Sequence, residues 1–448
     1  IMTFETKGKE NNGATYGRRS DWQDLYSIAK KYYEALLADP GNAQFHLTDP
    51  RGASDKSGRT FNNPYQYFFE QMHMDDAIYA DESIYEYPMQ QGGGNDGRPY
   101  SFGRPSSGGS KAAYPCKSYG QGRINPAYFY GVFDPNDMRR DVSITMTGSN
   151  GKGVEKLIPF VPNSKAEGGG LTLNKWDENR QANPWVAAQR KSGINGPYMR
   201  MSEVYLGYAE VCAALGDVVT GKQYLKTVRE RSFPQGLANT DAFIASFGND
   251  LVRAIIEERG FEYAGEGDRR WTLIRSGYLP EDIKRIKDMT KAMMDGLATK
   301  GYYEFENGNI ISAYIWTKLV DAKTIYGHRL TAQCPTDKVN DPVLYPGWRG
   351  QKDNWEEMGL NYGSSTPATN LAIKGLFEIV SEEEAASLES QGYAKVNWGI
   401  DLVDYRDEYD KYLFWDYDYV SAPIYLWPFT PNVMAAGGFT NGYGFKQE

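Results

Sequence analysis

Apolar residues recur at helical spacing in only a few stretches of the chain. After a polar, Gly/Asn-rich opening, Trp22, Leu25, Ile28, Ala29, Tyr32 and Leu36 share one face of a helical period, between a Ser20-Asp21 start and an Asp39-Pro40-Gly41 stop. The spacing predicts an amphipathic helix over 21–38. Such a helix needs an apolar partner, and the polar residues before it supply none, so the chain is expected to begin inside a helical hairpin. From 41 to 190 no long helical period appears. Turn signals run throughout, including the Gly/Ser/Pro-rich stretch 91–109 and the Gly168-Gly169-Gly170 run. The helical period returns over 197–232, with Met201, Val204, Tyr205, Tyr208, Ala209 and Cys212 in one stripe and Tyr224, Leu225 and Val228 in another. Gly216-Asp217 separates them, which predicts a helix–turn–helix of tetratricopeptide size. Leu251, Val252, Ile255, Ile256 and Arg259 predict a helix over 249–264, a short one ends near Gly277, and a further one is expected near 367–390. The segment from Tyr425 to Pro431 is Pro-punctuated and reads as extended.

Composition narrows the function classes. No apolar run approaches the ~18 residues of a membrane-spanning helix. The net charge is −9, from 49 basic and 58 acidic residues mixed along the 448, which argues against a nucleic-acid binder with a basic face. Cys116, Cys212 and Cys334 are far apart and form neither a disulfide framework nor a Cys-x-x-Cys motif. The chain carries 34 tyrosines, 10 tryptophans and 48 glycines. Tyr and Trp combine an apolar ring with one polar atom at low rotamer cost, a surface suited to sugars and peptides. Many of these rings also serve as ordinary core. The aromatic density between Phe61 and Phe133 exceeds what a solvated loop tolerates, so that region both packs and offers binding faces.

Chemistry-bearing motifs are few. His46, His73 and His328 are isolated, and no His-Glu-x-x-His or His-x-His pair exists for a zinc site. Gly92-Gly93-Gly94-Asn95-Asp96-Gly97 has the glycine spacing of a dinucleotide loop, but Arg98-Pro99 stands where its helix should start. The stretch Gly148 to Gly153 lacks the Ser/Thr of a phosphate loop and reads as a turn. Asp134-Pro135-Asn136-Asp137 also reads as a turn, without the Gly and Glu of a calcium hand. No Gly-x-Ser-x-Gly elbow occurs. The acid pairs Asp75/Asp76, Asp81/Glu82 and Glu257/Glu258 are expected on solvated faces. No catalytic residue, metal site or cofactor is assigned.

Three stretches, in order, carry a resemblance. Residues 197–210, including Arg200, Glu203, Tyr205, Ala209 and Glu210, are followed by Val228-Arg229-Glu230-Arg231. Residues 255–275 contain Glu258-Arg259, Glu262, Gly265-Glu266-Gly267 and Arg269-Arg270-Trp271. The third is Tyr425-Leu426-Trp427-Pro428, with Asn441-Gly442-Tyr443. Together they resemble the SusD/RagB family of Bacteroidetes outer-membrane nutrient-binding lipoproteins. Asp81 to Glu86 and Asp137-Met138-Arg139-Arg140 are weaker echoes; Thr272 and Thr430-Pro431 depart from the family pattern. Read from the residues, Arg259, Glu262, Glu266 and Arg269 have the spacing of structural charge pairs and helix caps, and Arg200 with Glu203 forms an i, i+3 pair.

The resemblance implies a mainly α, SusD-like fold, with tetratricopeptide-like helix pairs packed against a loop-rich half containing short strands. In that frame 1–448 is a single SusD-like domain lacking its N-terminal helix pairs. Residues 20–40 are the helix of an incomplete third repeat, 41–196 the loop-rich ligand-binding region, 197–232 the last repeat pair and 233–448 the C-terminal region. The N-terminal part, with a lipid-bearing Cys, is expected as missing sequence or as a separate fragment. The implied function is non-catalytic capture of a glycan at the outer cell surface and its delivery to a SusC-like TonB-dependent transporter. Peptide capture, a hidden glycosidase and a helical adaptor are the alternatives. Tyr87, Asn95, Asp96, Arg98, Tyr100, Phe102, Tyr114 and Tyr119 are the candidate ligand contacts, because they combine rings with polar groups on a glycine-loosened loop. Trp348, with Tyr345 and Trp355, forms a second candidate that would serve either ligand or transporter.

Overall fold

The computed structural model describes residues 8–9, 15–16, 19–41, 46–47, 64–65, 68–69, 82–92, 101–105, 118–149, 155–162, 168–176, 192–321, 369–413 and 429–438. In chain order the elements begin with β1 Gly8–Lys9, β2 Thr15–Tyr16, α1 Trp22–Ala38 and β3 Ser83–Tyr87. After a π-helix over Tyr128–Val132 come α2 Arg139–Ser143, β4 Ile144–Thr145, β5 Thr147–Ser149, β6 Glu155–Leu157, β7 Thr172–Leu173 and β8 Gly196–Arg200. The helical run is α3 Met201–Ala214, α4 Val218–Arg231, α5 Thr240–Ala245, α6 Leu251–Glu262, α7 Asp268–Ser276 and α8 Leu279–Lys300. Then follow β9 Tyr302–Glu304, β10 Ile310–Ser312, β11 Tyr314–Asp321, β12 Thr369–Lys374, α9 Glu382–Ser390 and β13 Ala394–Asn397. The last are α10 Gly399–Asp404, α11 Arg406–Leu413 and α12 Pro431–Gly437. The fold is mainly α, with short antiparallel strands; β12-β11-β13 is three-stranded and the other described sheets are two-stranded.

Local chemistry sets the helix ends. Gly216 takes the left-handed conformation (φ 91°) that ends α3, and Asp217 caps α4 by accepting the Thr220 N–H at 3.2 Å. Asp250 caps α6 through the Arg253 N–H at 3.0 Å. Ser381 and Glu384 form a reciprocal capping box at the start of α9. α3 and α4 approach closely because Gly221 has no side chain: a Cβ there would lie 2.9 Å from the Ala209 carbonyl oxygen. α1 lies against α3, where Tyr33 covers Gly207, and a Cβ on Gly207 would come within 2.7 Å of Tyr33 Cζ.

The largest apolar cluster among the described residues joins segments remote in sequence. Phe129, Tyr130 and Phe133 from the π-helix segment meet Phe261 of α6, Met293 and Leu297 of α8, and Ile315 and Trp398 around the three-stranded sheet. The Trp398 Nε1–H donates to the Tyr130 hydroxyl at 2.8 Å, so the buried indole keeps a partner. A second cluster, Leu206, Leu225, Val228, Ala254 and Ile255, binds α3, α4 and α6.

Several expectations change. The predicted α1 stripe is rotated: Ile28 and Tyr32 are exposed, while Tyr26 is buried with its hydroxyl donating to Glu210 Oε1 at 3.3 Å. The contact with Glu210 of α3 draws Tyr26 inward, a force hydrophobic periodicity does not register. Residues 196–200 form strand β8 rather than the start of a helix, because β3 pairs with them. The helix near 367–390 is α9 alone, since Thr369–Lys374 is a strand paired with β11. The long α8, which buries Leu279, Met293, Met294 and Leu297, is absent from the elements expected from the sequence.

Candidate functional site

Of the acids expected on solvated faces, Asp75, Asp76 and Asp81 lie outside the described residues, and the other three are interior. Glu82, Glu257 and Glu258 are buried, as are Asp137, Arg139, Arg200 and Arg231. Glu262 of α6 accepts from Arg139 at 3.1 Å, from Arg231 at 2.5 Å and from Arg200. Glu82 bonds Arg200 at 3.1 Å and Arg231 at 2.5 Å. Glu258 takes Arg139 at 2.7 Å and Arg229 at 2.9 Å, Asp137 takes Arg139 at 2.7 Å, and Glu266 takes Lys175 at 2.6 Å and Arg200 at 3.0 Å. Among these residues the cationic and anionic charges balance, which is what makes such burial tolerable. Burial alone would raise the Glu262 pKa, but Arg231, Arg200 and Arg139 overcome it and hold the carboxyl below its ordinary value. Burial pushes the Lys175 amine down to about 8, against the pull of Glu266.

The expected helical pair of Arg200 and Glu203 does not form. Arg200 ends a strand and turns into this cluster, and Glu203 reaches Arg259 instead, at 3.4 Å. Arg259 also binds Asp268 at 2.5 Å, and Arg269 binds Glu257 and Asp282, each at 2.9 Å. These groups are architectural: each buried charge named here faces an opposite one. Asp134 and Asn136 form the expected turn, with the Asn136 N–H donating to Asp134 Oδ1 at 2.8 Å. Among the described residues no group of three or more His, Cys, Asp or Glu gathers as a metal site.

From this cluster rises an aromatic ribbon. β3 and β8 pair antiparallel, with Glu82 and Arg200 at the base and Tyr87 opposite Gly196 at the other end. Alternation along β3 turns Tyr85 and Tyr87 to solvent, 60% and 56% exposed, and Tyr198 of β8 is 69% exposed. Tyr85 and Tyr198 meet edge to face, with ring centroids 5.6 Å apart. On the other side of the ribbon, Asn195 donates to Glu86 Oε2 at 3.0 Å and accepts the Met89 N–H at 2.7 Å. Burial raises the Glu86 pKa.

Beyond the ribbon's far end, Ile194 packs with Leu173 and Trp176. Phe102 is half exposed beside Leu173, and both approach Gly122 closely. Tyr119 is half-buried next to Gly120, whose carbonyl accepts the Thr172 hydroxyl at 2.9 Å. Of the candidate contacts, Phe102 thus lies beside Leu173 of this cluster, Tyr87 stands on the ribbon opposite Gly196, and Tyr119 adjoins Gly120. Asn95, Asp96, Arg98, Tyr100, Tyr114 and Trp348, with Tyr345 and Trp355, lie outside the described residues. Tyr85 and Tyr198, exposed on the same ribbon, are not among the contact residues singled out from the sequence. The period-2 pattern Tyr85-Glu86-Tyr87 carried the first, whereas Tyr198 was hidden by reading its segment as helix.

Comparison with known proteins places this architecture. The model of the SusD family matches residues 44–429. SusD-like protein P25 of Formosa agariphila is 28% identical over 160 residues, which are 36% of this chain and 26% of that protein. A SusD homolog from Bacteroides thetaiotaomicron is 18% identical, with a TM-score of 0.40, over 61% of this chain and 56% of the other. Surface glycan-binding protein A from the same species, solved in complex with laminarihexaose, is 19% identical, with a TM-score of 0.40, over 58% and 52%. The chain spans about a quarter of the curated relative and about half of these solved structures.

Proposed function

The chain belongs to the SusD family, and on that premise we propose that it captures an extracellular glycan on the tyrosine face of the β3–β8 ribbon and releases it uncleaved. The observation that carries the reading is the ribbon itself: Tyr85, Tyr87 and Tyr198 all stand exposed on one short two-stranded element. Grouped exposed rings cost solvation and are retained where they meet a partner. A pyranose offers an apolar C–H face edged by hydroxyls, which complements a ring face ending in a phenol oxygen. The rings are ready to bind, because one end of the ribbon is tied into a buried ion cluster and little ordering remains for the ligand to impose.

In this proposal the protein works at the outer cell surface, held by a lipid anchor, and hands the glycan to a SusC-like TonB-dependent transporter. Phe102 and Tyr119 extend the contact surface beyond the ribbon. Asn95, Asp96, Arg98, Tyr100 and Tyr114 belong to the same proposal as further contacts, and Trp348 as a second contact.

Native gels cast with single polysaccharides test the reading. Retardation by at least one glycan, with no new reducing ends after prolonged incubation, supports it. Migration unchanged by every glycan, with retention on a peptide library, would replace the glycan by a peptide; release of reducing ends would make the protein a hydrolase.

A further inference from the structure

The ribbon's strands do not pair with a constant offset. Ser83 sits opposite Arg200 and Tyr87 opposite Gly196, but between them Tyr85 faces Met199 and Glu86 faces Pro197. Ile84 and Tyr198 are therefore left out of the pairing, one on each strand, and the two slips cancel. Such bulges re-aim side chains. Tyr198 and Met199 are neighbours that strict alternation sends to opposite faces, yet both are exposed, at 69% and 40%. The offset shared by the Ser83–Arg200 and Tyr87–Gly196 pairs sets Tyr198 across from Tyr85, and the two rings stay in edge-to-face contact through the local irregularity.

A two-stranded ribbon with a solvated face specifies its register weakly by itself. Its base supplies what the pairing lacks. The Met201 N–H donates to the Glu82 carbonyl at 2.8 Å, one step beyond the Ser83–Arg200 pair. The Glu82 carboxylate is held by Arg200 and Arg231. Arg200 also donates to the Glu262 carbonyl at 2.7 Å, to Ser202 Oγ at 2.6 Å and to Glu266 at 3.0 Å. A one-residue slip would move either charged group by about 3.3 Å out of this cluster and leave buried charges unpaired.

We propose that Glu82 and Arg200 are positioning residues for ligand capture: their pair at the ribbon's base fixes the strand register that sets Tyr198 across from Tyr85. The inference rests on the ribbon being the ligand face. It adds that specificity is governed by two charges that never touch the ligand, and that they act through the tyrosines.

The test is Glu82→Gln, which keeps size and removes the charge, read by hydrogen exchange and by calorimetric titration with a retarding glycan. The expected result is about tenfold faster exchange of amides in 83–87 and 196–200, with α3 and α4 unchanged, and about tenfold weaker binding. That loss of affinity should disappear when Tyr198 is already alanine. Arg229→Lys loosens the same cluster at Glu258, away from the ribbon, and should lower Tm with ribbon exchange and affinity intact. Exchange that rises equally in ribbon and helices, or an affinity loss that adds in full to Tyr198→Ala, would overturn the proposal. If Glu82→Gln does not fold, Arg200→Lys, which keeps the charge and removes the fork, is read by the same criteria. Should the wild-type protein bind no glycan, the exchange comparison alone decides the positioning role, so the two failures are told apart.

Discussion

Replacing Glu262 by Gln removes one carboxylate that faces three buried arginines, Arg139, Arg200 and Arg231, without changing side-chain size. The cluster then carries one uncompensated positive charge in an interior where these side chains are at most 1% exposed. Breaking a buried ion pair from one side costs about 3–5 kcal/mol. With an unfolding entropy of about 2.1 cal/mol/K per residue, a 448-residue cooperative unit responds by about 1 °C per kcal/mol, so the variant should melt ~3–5 °C lower. Scanning calorimetry at neutral pH reads this directly. The pH dependence supplies a second check. Glu262 is depressed in the folded protein, so its stabilisation is fully present above the ordinary glutamate pKa and is lost as pH falls through the lower folded value. The gap in Tm between wild type and variant should therefore hold from neutral pH down to about 4.3, the unperturbed glutamate value, and close only below it. A gap absent at neutral pH, or one that closes between pH 7 and 5, would refute the assignment of Glu262 as the hub of the cluster.

Other outcomes follow from single contacts. Tyr85→Ala and Tyr198→Ala should each weaken glycan binding by about 1–2 kcal/mol, roughly 5- to 30-fold, in calorimetric titration, with Tm within a degree of wild type because both rings are exposed. Gly207→Ala drives a methyl group into Tyr33 and should cost about 1–3 kcal/mol, loosening α1 so that limited proteolysis cuts it first; Tyr33→Ala in the same chain should restore protection. Lys175 is held at about 8 by burial, below its unfolded value of about 10.4, so the unfolded chain binds more protons between the two. Stability attributable to Lys175 should thus rise as pH goes from 8 to 10, and urea melts of Lys175→Met should lack that rise.

Much of the helical half was legible because its signals are local. Ser20-Asp21 and Asp39-Pro40-Gly41 bracket α1, Gly216-Asp217 separates α3 from α4 through a positive φ and a side-chain cap, and Gly277 ends α7 through a positive φ. What failed depended on partners remote in sequence. β8 is a strand only because β3 lies beside it, and β12 only because β11 does. Acid pairs such as Glu257/Glu258 look solvated until the arginines that neutralise them arrive from other helices. Of the candidate contacts, Tyr87 was visible from its strand and Phe102 and Tyr119 from the aromatic loop. Tyr198 depended on the pairing of β8 with β3, which no period within its own segment reveals.

The most direct measurement is calorimetric titration of one polysaccharide that retards the protein on native gels into wild type and into the Tyr85→Ala/Tyr198→Ala double variant. The account predicts saturable heat with wild type and at least a tenfold loss of affinity in a double variant that remains folded, consistent with about 1–2 kcal/mol per ring. Equal affinity in the two proteins would contradict it and remove the ribbon from the binding site.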